Sequence, residues 1–412
     1  MHLDDVRGLK RELLRSLVED AGLGLRPSGL AAQRVEALRA VHRTMALGVA
    51  PGGRAEYRVA VRVQRREVAR NAIETIRQRA AGEIDVRYVG RIVKAAGVAP
   101  GWTQARIRPL RIGLSIGHHA VTAGTLGGFL RAASEEPDAS AATYLLSNNH
   151  VLADENRAQV GDAILQPGTY DGGGPPDDRV ATLASFIPLE TGAVNTVDCA
   201  MAQLDDGVDF DATLLGDDTH LAGSTELLGS GEDRVTKTGR TTGLTEGRVT
   251  AFELDNVVVG YDTGNLRFDN QLEIESAQDA PFSQGGDSGS LIVTAAEHLA
   301  AGLLFAGSDQ GGRGDLGLTY ANSIVAVTQA LDASFALDDH GEVATLDQAR
   351  AAKARIAQLL AGTPELRGVG IARAERGFCV KVNLEREPSA ELPTDIDGVP
   401  ILVEVVGDIR AL

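Results

Sequence analysis

Gln284-Gly285-Gly286-Asp287-Ser288-Gly289-Ser290, followed at once by Leu291-Ile292-Val293, decides what the rest of the chain has to supply. A serine flanked by glycines just ahead of a β-branched run sits on a tight turn, with its hydroxyl clear of neighbouring side chains. Such a hydroxyl is a weak nucleophile at neutral pH. It needs a base to take its proton and a third group to orient that base.

Both residue types stand upstream. His150 ends Tyr144-Leu145-Leu146-Ser147-Asn148-Asn149-His150, an apolar strand-like stretch that turns polar before the histidine, and Asp198 opens Asp198-Cys199-Ala200-Met201-Ala202-Gln203-Leu204. His150 and Asp198 lie 48 positions apart, and Asp198 and Ser288 lie 90 apart. Taken singly, the histidine reads as structural, the aspartate as a turn residue and the serine as part of a hairpin loop. Together, in the order His-Asp-Ser, they match the chain order of double-barrel proteases among the unrelated folds that build this triad.

Asn149-His150-Val151-Leu152, Asp198-Cys199-Ala200-Met201 and Gly286-Asp287-Ser288-Gly289 resemble the three catalytic blocks of the trypsin/chymotrypsin-like serine peptidases. The Ser-Asn-Asn-His form and Lys237-Thr238-Gly239-Arg240-Thr241-Thr242-Gly243 resemble, more narrowly, the intracellular plant narrow-leaf-type peptidases and their bacterial relatives. The resemblance covers roughly residues 110–330. It implies His150, Asp198 and Ser288 as catalytic residues and the backbone N–H groups of Gly286 and Ser288 as the oxyanion hole. It places Phe282 at the floor of the primary pocket, where an acid would select Arg or Lys, so a small or apolar side chain is expected there instead. Leu303, Leu304, Phe305 and Gly307 fall on the strand that would pair with the substrate backbone. In secreted relatives the aspartate matching Asp287 pairs with a new N-terminus; with more than 100 residues ahead of this barrel, Asp287 is expected to find another internal partner.

Beyond these blocks, 412 residues suggest two or three domains. Aromatic residues make up only 4%, so the core must be aliphatic. The two cysteines, Cys199 and Cys379, lie in segments that read as different domains, which implies no disulfide framework and points to a reducing compartment. The charged start reads as no signal peptide and no apolar run reaches membrane-span length, so a cytoplasmic protein is expected. The net charge of −17 disfavours nucleic acid as a partner, yet residues 1–112 hold 22 Lys and Arg against 11 Asp and Glu. That +11 leaves −28 for the other 300 residues, as expected of a basic arm for an anionic partner or a basic module docked on an acidic body. Arg58, Arg62, Arg65, Arg66 and Arg70 read as a solvated face.

The spacing predicts helices over 3–21, 31–45 and 67–80, and strands over 46–50, 56–63 and 84–92. The C-terminus predicts a helix over 346–360 and strands over 368–371, 377–384 and 400–409. Val380, Val382 and Leu384 fall where Val59, Val61 and Val63 do, and Val403 and Val406 where Val86 and Val89 do, which suggests an internal duplication. Between them, short apolar segments alternate with Gly, Asn, Asp and Pro turns, as in all-β barrels. Strands are expected over 113–116, 124–130, 144–146, 163–166, 179–187 and 197–204 for the first barrel. For the second they are expected over 245–252, 256–261, 271–276, 290–293 and 300–306, before a helix over 323–331.

The expected architecture is mainly β: a double six-stranded barrel over 105–335, flanked by small α/β modules over 1–104 and 336–412. The expected function is a serine endopeptidase acting on protein or peptide substrates, needing no cofactor and no metal, and assembled as a homo-oligomer through its flanking modules. A latent peptidase-shaped interaction scaffold, or an enzyme that cleaves only its own chain, stands as the alternative. His118, His119, His220 and His298 have no comparable setting, and Asp171 to Asp178 reads as plain surface loop.

Overall fold

The computed structural model describes residues 1–16, 44–53, 56–93, 101–133, 142–214, 216, 219–227, 234–337, 346–360, 363–373, 378–386, 392–393, 395–396 and 399–407. The helix expected over 31–45 lies outside the described residues up to position 43, and Met45 belongs to a strand instead. The chain opens with α1 (Leu3–Leu14), β1 (Met45–Gly53), β2 (Glu56–Val63), α2 (Arg66–Arg79), β3 (Ile84–Tyr88) and the short β4 (Ile92–Val93). Next come β5 (Leu110–Ile112), β6 (Ser115–His118), β7 (Gly124–Thr125), β8 (Gly128–Ala132), β9 (Tyr144–Ser147), the one-turn α3 (Asn149–Leu152), β10 (Ala163–Leu165), β11 (Arg179–Phe186), β12 (Val194–Asn195), β13 (Ala200–Leu204) and β14 (Phe210–Leu214). They are followed by β15 (Gly223–Ser224), β16 (Arg234–Gly239), β17 (Gly243–Asp255), β18 (Val257–Tyr261), β19 (Gly264–Phe268), β20 (Gln271–Ser276), β21 (Leu291–Thr294), β22 (Leu299–Ser308), β23 (Thr319–Ser323), α4 (Ile324–Leu331) and β24 (Ala333–Phe335). The last elements are α5 (Leu346–Leu359), β25 (Leu366–Arg373), β26 (Phe378–Leu384), β27 (Asp395–Ile396) and β28 (Val399–Val405).

Strands account for 46% of the described residues and helices for 16%, so the fold is mainly β. β16, β17, β20, β23, β22 and β21 pair in a closed ring of six, the second barrel. The first is an open curled sheet in the order β24-β8-β9-β13-β11-β10-β6-β7. Two staves of the closed ring escape the hydrophobic pattern. β16 (Arg-Val-Thr-Lys-Thr-Gly) and β23 (Thr-Tyr-Ala-Asn-Ser) are polar in sequence, yet ring closure buries most of both. Conversely, Val257–Tyr261 is no stave: it forms the β18–β19 hairpin alongside β4.

The N-terminal elements share this second sheet. β1 pairs antiparallel with β17 (Leu47 opposite Asp255, Val49 opposite Phe252), and residues 1–336 form one compact unit. α1 and α2 place Val6, Leu13, Ala72 and Ile76 over β2, in one core with Phe252, Leu272, Ile274 and Phe282 of the barrel. Each fully buried Val, Leu, Ile or Phe of this core contributes about 1.5–3 kcal/mol.

Charge explains the basic N-terminus. Arg7 pairs with Glu253 (2.5 Å), Lys10 with Asp255 (2.8 Å) and Arg87 with Glu275 (3.0 Å). Arg62 differs from the solvated face expected for it. It is 1% exposed and holds Glu273 (2.7 Å) and Asp85 (2.8 Å) between β2, β3 and β20. The basic segment is docked on the acidic barrel.

The second unit, Leu337–Leu412, packs Ala349, Ala352 and Ile356 of α5 over Val380, Val382 and Leu384. It uses the same three-strand arrangement as β1–β3. β25 runs antiparallel to β26 and β28 parallel to it, with Val382 opposite Val403; β1 and β3 flank β2 likewise, with Val61 opposite Val86. The suggested sequence equivalences therefore fall on equivalent ladder positions. Among the described residues, no helix is long and apolar enough to cross a membrane.

Candidate active site

His150 lies on α3, directly after β9. The chain leaves the sheet at Asn148, in an extended conformation, and turns once, which buries the imidazole to 8% exposure. Asp198 sits one residue before Cys199 at the mouth of β13, which pairs with β9 through Ala200 and Ser147. That pairing brings the two side chains together: His150 Nδ1 is 2.5 Å from Asp198 Oδ2, and the His150 backbone N–H donates to Asp198 Oδ1 (3.3 Å).

Asp198 is also held from the second sheet. Tyr261 Oη donates to Asp198 Oδ2 (2.6 Å), the Asp198 N–H donates to Asn322 Oδ1 (2.9 Å), and Asn322 in turn donates to Gln271 (2.7 Å). Asn148 Nδ2 donates to the Asp198 carbonyl (2.7 Å). Burial works to raise the Asp198 carboxyl, but the His150 charge and the hydrogen bonds from His150 and Tyr261 outweigh it and hold it below the usual carboxylate range. Burial and the neighbouring Asp198 push the Tyr261 phenol well up, so it stays a donor. Burial likewise raises the Cys199 thiol, which makes it a poor nucleophile.

Tyr261→Phe is expected to lower kcat about tenfold, since a hydrogen bond to a charged group is worth about 1.5–3 kcal/mol. Losing a donor that lowers the Asp198 pKa should also move the acid limb of the pH profile upward. Steady-state rates across pH check both; an unchanged profile would exclude a role for the phenol.

Ser288 lies on the turn before β21. Its carbonyl accepts from Thr125 N–H (2.8 Å), and Thr125 Oγ1 donates to the Gly286 carbonyl (2.9 Å), so β7 of the first barrel fastens the turn. Gly286 has φ +92°, and a Cβ there would lie 2.5 Å from both Arg240 Nη1 and Thr241 Oγ1. Only glycine fits. Thr241 Oγ1 donates to the Gly285 carbonyl, turning that carbonyl toward β16 and the Gly286 N–H the opposite way. Among the described residues, neither Gly286 N–H nor Ser288 N–H has an acceptor, and no hydrogen bond joins Ser288 Oγ to His150.

Asp287 finds its internal partner within the segment 237–243. Its Oδ1 accepts from the N–H groups of Thr241 (2.8 Å) and Thr242 (3.1 Å), and its Oδ2 from Thr242 Oγ1 (2.7 Å) and Gln284 N–H (2.9 Å). Lys237 Nζ lies 3.4 Å from Oδ2, with both side chains fully buried. Burial lowers the Lys237 pKa and Asp287 opposes that shift. Asp171, expected on a plain surface loop, is instead a buried ion-pair partner: Arg240 holds it at 2.5 and 2.6 Å directly behind Gly286.

The other sequence-derived positions divide. Phe282 is 3% exposed and belongs to the second-barrel core. Leu303, Leu304 and Phe305 are buried as side chains, so only their backbone can meet a ligand, while Gly307 is half-buried. Sequence reasoning missed Tyr261, Asn322 and Thr125, each in a strand whose local pattern gives no sign of the site. Lys237 carried a signal: it opens the segment 237–243 that bears the narrower resemblance.

Residues 214–345 match the family model of the Nal1 C-terminal domain. No curated protein matches the chain. Among solved structures, the chain is similar to Thermobifida fusca protease A (16% identity, 55% of this chain and 98% of that one, TM-score 0.38) and to Cellulomonas bogoriensis chymotrypsin (17%, 55% and 98%, 0.38). It is also similar to the active form of the Rv3671c protease from M. tuberculosis (10%, 77% and 96%, 0.27).

Proposed function

We propose that this protein is a cytoplasmic serine endopeptidase akin to the intracellular narrow-leaf-type peptidases, working as a homo-oligomer. One observation carries the reading: His150 is locked through Nδ1 onto a buried, ionised Asp198, while the turn bearing Ser288 leaves two backbone N–H groups unpaired. Because Nδ1 is committed to Asp198, Nε2 is the nitrogen that takes the Ser288 proton as Oγ attacks the peptide carbonyl. Gly286 N–H and Ser288 N–H receive the oxyanion, each donor being worth about 10²–10³ in rate. His150 then gives its proton to the leaving amine, and water, activated the same way, releases the acyl group from Ser288. The uncharged Phe282 supports a preference for small or apolar side chains over Arg or Lys.

The buried free cysteines Cys199 and Cys379 suit a reducing compartment. Exposed Leu402, Val403, Val405 and Val406 on and after β28 suit assembly with further copies. Incubation with a fluorophosphonate followed by intact-mass measurement tests the catalytic reading. A single adduct is expected on the wild type and none on Ser288→Ala or His150→Ala. An unmodified wild type that is fully folded would refute it.

A further inference from the structure

β22 has partners on both edges. β23 pairs along one edge from Gly302 to Gly307, and β21 along the other from Ala300 to Leu303. β21 begins just after the Ser288 turn, so Leu304 is the last residue held on that second edge. Its N–H donates to the Ser290 carbonyl (3.0 Å) and its carbonyl accepts from Gly289 N–H (2.8 Å). An extended chain with a carbonyl facing Ser288 would therefore continue along the edge that β21 vacates.

That edge is short. β4 pairs antiparallel with β22, Val93 opposite Gly307 and Ile92 opposite Ser308. At Gly307 the first edge is already taken by Thr319, and Ser308 N–H donates to Leu318 on that same side (2.8 Å). β4 thus lies on the vacated edge, with only Phe305 and Ala306 between it and the Ser288 turn. It is built in rather than laid on. Ile92 is 1% exposed, in one cluster with Tyr261, Phe305, Ala306 and Tyr320, and β4 pairs on its far side with β18 (Ile92 opposite Val259). The chain enters β4 through Gly90 (φ +65°), where a Cβ would lie 2.7 Å from Asp309 Oδ1.

We infer that Ile92 and Val93 are specificity-determining: β4 ends the strand pairing available to a peptide substrate, which lies along β22 for two residues on the acyl side and leaves the sheet where a third would pair. This rests on the peptidase reading above. Strand addition ordinarily gains main-chain hydrogen bonds with each further pair of residues. Here that gain stops at the second residue.

N-blocked peptidyl diphenyl phosphonates of one to four residues, identical next to phosphorus, test this through the rate of Ser288 modification read by intact mass. The rate is expected to rise about tenfold from one residue to two and then to stay within about threefold up to four. N-methylation of the third residue's amide is expected to change nothing. A further tenfold gain at the third residue, lost on that N-methylation, overturns the inference. Val93→Pro, which removes an N–H and breaks the pairing, is expected to create a third-residue gain of about tenfold; a folded variant without one overturns it too. Should that variant not fold, the wild-type series decides alone. Labelling by a fluorophosphonate together with a third-residue gain overturns this inference only, whereas no labelling by any probe overturns the peptidase reading and this inference with it.

Discussion

Asp198→Asn is expected to lower kcat about 10⁴-fold while the protein stays folded. The asparagine amide would fill the same space, keeping its oxygen at the Oδ1 place for the His150 backbone N–H. Its NH₂, however, would face His150 Nδ1, where the carboxylate now sits at 2.5 Å. A donor there requires Nδ1 to be unprotonated, which places the ring proton on Nε2 and removes the acceptor Ser288 needs. Turnover of a peptide ester, set beside a thermal melt, checks this; a fall of less than tenfold with an unchanged melt would mean that Asp198 does not set the tautomer. The same carboxylate fixes a pH dependence. Its folded pKa is depressed, so the stability it contributes is present above the ordinary carboxylate value of about 3.9 and is lost as pH falls through the folded value. Wild type should therefore lose stability in that acid window more steeply than Asp198→Asn.

Lys237→Met is expected to cost about 3–5 kcal/mol of stability, because it leaves Asp287 buried without its cation. The effect should reach the chemistry. Asp287 carries the N–H groups of Thr241 and Thr242 on one side and that of Gln284 on the other, so it ties the Ser288 turn to the segment that turns the Gly285 carbonyl away. Fluorophosphonate labelling should slow by about 10², the value of one oxyanion donor. Lys237→Met combined with Asp287→Asn should recover most of the stability, since removing both charges leaves neither uncompensated. Urea melts of the two single variants and the double give the coupling; additive losses would show that Lys237 and Asp287 do not act as a pair.

Residues interacting through the local chain were visible beforehand. The Gly-Asp-Ser-Gly turn, the histidine just after β9 and the aspartate just before β13 are short motifs whose chemistry is carried by residue type and order. The apolar alternation marked β2, β26 and the repeated three-strand ladder, because side chains alternate faces along a strand whatever its partner. Charge imbalance pointed to docking but left two readings open, and only the pairing of Arg7, Lys10, Arg62 and Arg87 with Glu253, Asp255, Glu273 and Glu275 chose between them.

Tertiary structure decided the rest. β16 and β23 are polar in sequence and buried by ring closure, which no local period can encode. Tyr261, Asn322 and Lys237 reach Asp198 and Asp287 from strands distant in sequence, and β4 meets β22 more than 200 residues away along the chain. Sequence by itself determined which groups could do chemistry, since nucleophile, base and acid are properties of side chains in order. Where those groups are braced, and how much of the neighbouring strand edge stays open, depends on contacts between segments that share no local pattern. Those contacts exist only once the sheet has closed.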